Sequence, residues 1–171
     1  MDRRSIMTVA AAAALALGLL PHSTMAQQKS LKDQIIGTWT VVSWEQTLKD
    51  GSKLERFGNS PKGVNTFTRD GHFTLILMRP DLPKISSNNP MKPTPAEAEA
   101  ITVGSIAYFG TYTVDEGTKT ITEQLDGTTL ANQLAIPQKR EVTSISATEM
   151  KYRNAQSVAG GNIELVFKRA Q

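Results

Sequence analysis

From Thr38 to Arg169 the chain alternates apolar and polar residues in short runs, each closed by a cluster of Gly, Asn, Asp, Ser or Pro. Successive side chains on a strand leave opposite faces, so a period of two marks a half-buried strand. The pattern predicts strands over residues 38–46, 53–57, 64–68, 72–79, 106–115, 118–125, 138–146, 149–155 and 162–169. Two stretches carry helical signals instead. Ser30 precedes Leu31, Asp33, Ile35 and Ile36, a capped turn with one apolar side that Gly37 ends. Thr94-Pro95-Ala96-Glu97 combines a capping box with proline at the first helical position, and the helix should stop near Gly104. Residues 80–93 and 126–137 have neither period and are expected as irregular loops.

One hairpin can be resolved further. If Asp70-Gly71 formed a two-residue turn, Thr68 would oppose Phe73 and the faces would mix. A type I turn with Gly71 as a left-handed bulge residue pairs Phe67 with Phe73 and Thr68 with His72. That choice puts Phe67, Phe73, Leu75 and Leu77 on one face, with Thr66, Thr68, His72 and Thr74 on the other. About eight or nine mostly antiparallel strands with one inserted helix predict a mainly β fold, a single closed barrel without exposed edges. An open sandwich is the alternative.

The N-terminus changes what is counted as the folded chain. Arg3 and Arg4 precede an apolar stretch from Ile6 to Leu20, then Pro21 and the small-residue exit Thr24-Met25-Ala26. This is the order of a secretory signal peptide over residues 1–26, and the stretch is shorter than the ~20 apolar residues of a membrane span. The Arg pair also permits twin-arginine export. Residues 27–36 are then tail and short helix, and 37–171 the barrel, one domain with a full core. Loss of Asp2, Arg3 and Arg4 takes the formal charge from +3 to +2. Such a balance, without a basic stripe, excludes a nucleic-acid interface, and no membrane span is expected after cleavage. Cysteine is absent, so an exported fold must stand on its core. With His22 gone only His72 is left, and neither a metal nor another cofactor is expected. No Walker or dinucleotide motif occurs, and Ser60 in Gly58-Asn59-Ser60-Pro61-Lys62 lacks a nucleophile elbow.

Four segments carry a family resemblance: Gly37-Thr38-Trp39; Phe57-Gly58 with Pro61-Lys62-Gly63; Asp70-Gly71-His72 running into Leu77-Met78-Arg79-Pro80-Asp81; and Ala107-Tyr108-Phe109-Gly110-Thr111-Tyr112. In this order the chain resembles the bacterial lipocalin-like domain family. The resemblance implies a calycin-type barrel with Trp39 turned inward, and it brings no settled activity and no agreed catalytic residue. Relatives often carry histidines where this chain has Glu123-Gln124, and a tryptophan where it has Gln133. Histidine-based chemistry therefore does not carry over.

With Trp39 inward, strict alternation turns Val41, Ser43 and Glu45 inward as well. The face of Phe73 and Leu77 carries Arg79 in at the strand's far end. Tyr108, Gly110 and Tyr112 are expected inside opposite Gln124, Thr122 and Thr120, joined by Gln138 and Arg140. The candidate ligand-binding residues are thus Glu45, Arg79, Tyr108, Tyr112, Gln124 and Arg140, with no catalytic residue assigned. An inward arginine needs a counter-charge, either Glu45 or an anionic group on a ligand. Tyrosines in such positions are more often core residues with satisfied hydroxyls than ligand contacts, and His72 reads as a solvated hairpin residue. Trp39 is expected as floor packing stacked by Lys168 or Arg169.

Three functions fit. The first is an exported barrel binding a small apolar or amphipathic ligand, with an acidic group allowed. The second is a cofactor-free isomerase, cyclase or lyase pairing a carboxylate (Glu45, Glu55 or Glu123) with a tyrosine. The third is a barrel filled by its own side chains, acting through its surface as an interaction or envelope-stress protein. Oligomeric state is not written in the pattern.

Overall fold

The alternating runs pair in the order in which the chain meets them. A computed structural model describes residues 29–155 and 160–171, so the export segment expected over residues 1–26 lies outside the described residues. The strands are β1 (Gly37–Thr47), β2 (Lys53–Leu54), β3 (Lys62–Phe67), β4 (His72–Met78), β5 (Ser105–Asp115), β6 (Thr120–Thr128), β7 (Gln138–Ile145), β8 (Glu149–Asn154) and β9 (Asn162–Arg169). They form one antiparallel sheet in the order β2-β1-β3-β4-β5-β6-β7-β8-β9, and β1 also pairs β9. That last pairing closes a barrel, leaving β2 as a spur beside β1. The open sandwich is excluded.

The two ends of the barrel differ. At one end lie the tight turns β3–β4, β5–β6 and β7–β8 and both ends of the domain. The β3–β4 hairpin has the predicted bulge: Phe67 pairs Phe73, the Thr68 amide donates to the His72 carbonyl at 2.9 Å, and Gly71 takes φ 90°. Helix α1 (Leu31–Ile35) lies across this end with Ser30 as its N-cap. Its first amides, Leu31 and Lys32, donate to the Glu116 carboxylate at 2.7 and 3.0 Å, which meets two otherwise unpaired donors. Trp39 is fully buried, donates from Nε1 to the Ile35 carbonyl at 2.7 Å, and carries the Arg169 guanidinium on its face at 4.0 Å. Arg169 also donates to the carbonyls of Gln34 and Ile36. Phe67, Phe73, Tyr112, Ile121, Met150 and Phe167 fill the lumen above this plug.

The long connections gather at the other end. Helix α2 (Pro95–Gly104) starts with the expected capping box, Thr94 and Glu97 bonding each other's backbone amides, with proline in its first turn. The second expected strand stops at Leu54 because the chain turns in, and Phe57 packs edge-on against Trp44 at 5.0 Å.

Bulges set which residues face the lumen. In β1 the pairing to β9 skips Val42, so Trp39 and Val41 face in, and after the bulge Trp44 and Gln46 do. Further skips fall at Asp126 in β6 and Thr143 in β7. Gly110 makes the β6 irregularity possible: a Cβ there would lie 1.9 Å from the Gln124 carbonyl oxygen. No described helix is long and apolar enough to cross a membrane.

Candidate ligand cavity

The upper half of the barrel holds a cavity of about 370 Å³. That is near the lower end of the ~300–1,000 Å³ usual for small-molecule sites. Leu75 and Leu77 of β4 with Ile106 of β5 line one side, Ile163 and Leu165 of β9 with Trp44 of β1 line another, and Phe57 joins the apolar lining. Gln46 of β1 and Asn154 of β8 flank Ile163 on the neighbouring strands, and Gln138 of β7 adds a further amide. Leu54, Arg56, Leu130 and Gln133 come from the long connections and surround the mouth. Arg56 donates to the carbonyls of Val103 and Ser105 and lies 4.8 Å over the Phe57 ring.

A polar layer separates the cavity from the filled half. Arg140 of β7 is 6% exposed and sits 3.1 Å from the carboxylate of Glu123 on β6, itself 0% exposed. From the same Nη2, Arg140 donates to the Tyr108 hydroxyl of β5 at 3.1 Å. Its guanidinium lies 5.9 Å from the Tyr152 ring centre, and the Tyr152 hydroxyl accepts a long 3.5 Å bond from Asn65 Nδ2. Arg140, Tyr108 and Tyr152 line the cavity, while Glu123 and Asn65 stand behind them. Arg140 Nη1 has no hydrogen-bond partner among the described residues, and neither oxygen of Glu123 receives a well-aligned hydrogen bond.

The electrostatics follow from enclosure. Burial pushes the Glu123 carboxyl above the usual carboxylate range, and Arg140 pulls it only partly back. Burial by itself lowers the Arg140 guanidinium, but Glu123 and the two tyrosines together carry it higher, so it stays charged. Burial also raises the phenols of Tyr108 and Tyr152, which keeps both as neutral donors.

Of the six residues expected inside, Tyr108 and Arg140 line the cavity. Tyr112 is buried too, but in the filled half, where its hydroxyl donates to the Thr68 carbonyl at 2.7 Å. The other three are corrections. Glu45 points outward and pairs Lys53 at 2.8 Å, because the Val42 bulge reverses the phase of β1 beyond Val41. Gln124 is exposed because β5 and β6 join through a four-residue turn, with Lys119 at φ 51°. Tyr112 therefore opposes Glu123, and Ile121, Glu123 and Leu125 take the inner face. Arg79 lies past the end of β4 and forms a two-bond pair with Asp81 at 2.8 and 2.9 Å, which spares it burial. The partner of Arg140 is accordingly Glu123, not Glu45. His72 is exposed on the outer face beside Asp70. Tyr152 and Arg56 were missed, and Glu123, expected only as one of three carboxylates for a tyrosine-assisted reaction, was not expected as the partner of Arg140. A signal for Glu123 was present, since the apolar Ile121 and Leu125 flank it at period two.

A family model described as a lipocalin-like domain matches residues 36–170. No curated protein matches the chain. Among solved structures, a redesigned β-barrel is similar at 14% identity and TM-score 0.44, covering 84% of this chain and 98% of its own. A de novo designed fluorescence-activating β-barrel is similar at 13% identity and TM-score 0.42, with 83% and 99% covered.

Proposed function

This chain belongs to the lipocalin-like domain family, and on that premise we propose that its cavity binds a small, largely apolar molecule with one polar end. The observation that carries the proposal is a chamber of about 370 Å³ lined largely by apolar side chains, with a polar inner end. Burial is worth about 0.8 kcal/mol per methylene, so a ten-carbon chain gains roughly 8 kcal/mol gross. A hydrogen bond to a charged group adds about 1.5–3 kcal/mol. Apolar volume therefore sets affinity, and the polar layer sets preference. A chamber of this size argues against a barrel filled by its own side chains. Saturable one-site binding of an apolar fluorophore tests the proposal. Leu77→Trp, which narrows the chamber, should weaken it markedly while far-ultraviolet circular dichroism is retained. Unchanged binding in that variant places the fluorophore elsewhere and refutes the proposal.

One observation favours the second reading, a cofactor-free isomerase or cyclase: Glu123, Arg140 and Tyr108 meet at one point. Binding is preferred because Glu123 does not line the cavity, so no carboxylate base reaches a ligand there. We also propose export, on the signal-peptide order of residues 1–26. Protein from its native host should start near Gln27, and an intact Met1 in the cytosolic fraction would refute this.

A further inference from the structure

The inner end of the cavity is unusual in what it offers. Arg140 Nη1 is buried without a hydrogen-bond partner among the described residues. The Tyr108 hydroxyl accepts from Arg140 and the Tyr152 hydroxyl accepts from Asn65, so each still has its proton to donate. The three cavity-lining side chains of the layer thus present donors. Yet the layer does not present a free charge, because the guanidinium already has a carboxylate at 3.1 Å. A second carboxylate brought to Arg140 would stand close to the buried Glu123, where like charges repel more strongly than in bulk water. At the mouth the balance is different. Arg56 is bonded to backbone carbonyls and keeps its charge unmatched by those contacts.

We infer that the inner end of the cavity recognises an uncharged hydrogen-bond acceptor, the carbonyl of a ketone, ester or lactone, through Arg140 Nη1 and the hydroxyl of Tyr108. An acidic group on the same ligand belongs at the mouth near Arg56. The inference rests on the proposed ligand-binding role and specifies the chemistry of the polar end. A carbonyl oxygen has two lone pairs and can take a hydrogen bond from each donor. It adds no net charge to a layer whose charges are already matched.

The test uses three ten-carbon probes, decane, methyl octyl ketone and decanoate, titrated into the protein at about pH 8, where the acid is ionised. Trp44 in the cavity wall reports occupancy by its fluorescence, and calorimetry supplies the stoichiometry. The ketone should bind at least about tenfold tighter than decane, as a charge-assisted hydrogen bond implies. In Glu123→Met/Arg140→Met, which removes both charges together, the ketone should lose most of that advantage, keeping only what the Tyr108 hydroxyl supplies, and decane, which makes no hydrogen bond, should change less than the ketone. Decanoate should change less than the ketone between the two proteins. Equal binding of ketone and decane by the unmodified protein overturns the carbonyl assignment while leaving the ligand-binding role standing. A ketone advantage that survives undiminished in the double variant overturns it too, as does a decanoate affinity that depends on Arg140 more than the ketone's does. Failure of all three probes to bind overturns the ligand-binding role and the assignment with it.

Discussion

Arg140→Met isolates the energetics of the polar layer. The substitution leaves the Glu123 carboxylate, 0% exposed, without the cation 3.1 Å away. Removing one partner of a buried pair costs about 3–5 kcal/mol, whereas replacing both by apolar residues of similar volume is often neutral or stabilising by about 1–4 kcal/mol. Arg140→Met should therefore be destabilised by about 3–5 kcal/mol near neutral pH, and Glu123→Met/Arg140→Met should recover most of the loss. The pH dependence has a definite sign. The Glu123 carboxyl lies above its usual 4.5 because of burial, with Arg140 opposing. A carboxyl raised in the fold holds its proton more tightly there, so its contribution is complete below about 4.5 and is lost as pH rises through the folded value. Removing Arg140 raises that value further, so the deficit of Arg140→Met should shrink between about pH 8 and pH 5. Urea unfolding followed by fluorescence of the buried Trp39 and Trp44 measures both effects, with unchanged m-values confirming a common transition. A deficit under about 1 kcal/mol at pH 8, a double variant no better than the single, or a deficit indifferent to pH would refute the reasoning.

Trp39→Ala should cost about 3–5 kcal/mol in the same unfolding experiment, since it removes a fully buried large aromatic and the platform for Arg169. Glu116→Ala should cost about 0.5–2 kcal/mol, the range for a lost helix cap, and hydrogen exchange at the Leu31 and Lys32 amides should accelerate. His72→Gln should stay within about 0.5 kcal/mol of the unmodified protein, as an exposed residue outside the cavity, and should leave fluorophore binding unchanged.

Local pattern and turn chemistry make much of the scaffold legible in the sequence. The Gly71 bulge and the Thr94–Glu97 capping box depend on residues near in sequence, whereas the inward Trp39 was implied by the family resemblance and its stacking by Lys168 or Arg169, of which Arg169 does it, rests on a single register. The cavity lining was harder because it depends on phase carried along whole strands. In β1 two tryptophans five apart, Trp39 and Trp44, cannot share a face by strict alternation. That spacing was the mark of the bulge that put Glu45 outside. In β6 the turn length decided between Gln124 and Glu123, and one odd step exchanged an exposed amide for the buried partner of Arg140. The contact of Glu116 with α1 spans eighty-five residues and has no local signature.

The extra residues at Val42, Asp126 and Thr143 are three places where the chain is longer than its ladder requires. A bulge bends its strand and increases the local twist. Deleting Val42 would join Val41 to Ser43 and leave Trp39, Val41, Trp44 and Gln46 on the inner face, whereas deleting Thr40 would turn Trp39 against the residues that follow it. Length changes at the bulges would thus alter the girth of the chamber without replacing any residue of its wall. Evolution of this scaffold toward larger or smaller ligands has a route through insertions and deletions that substitutions alone do not open.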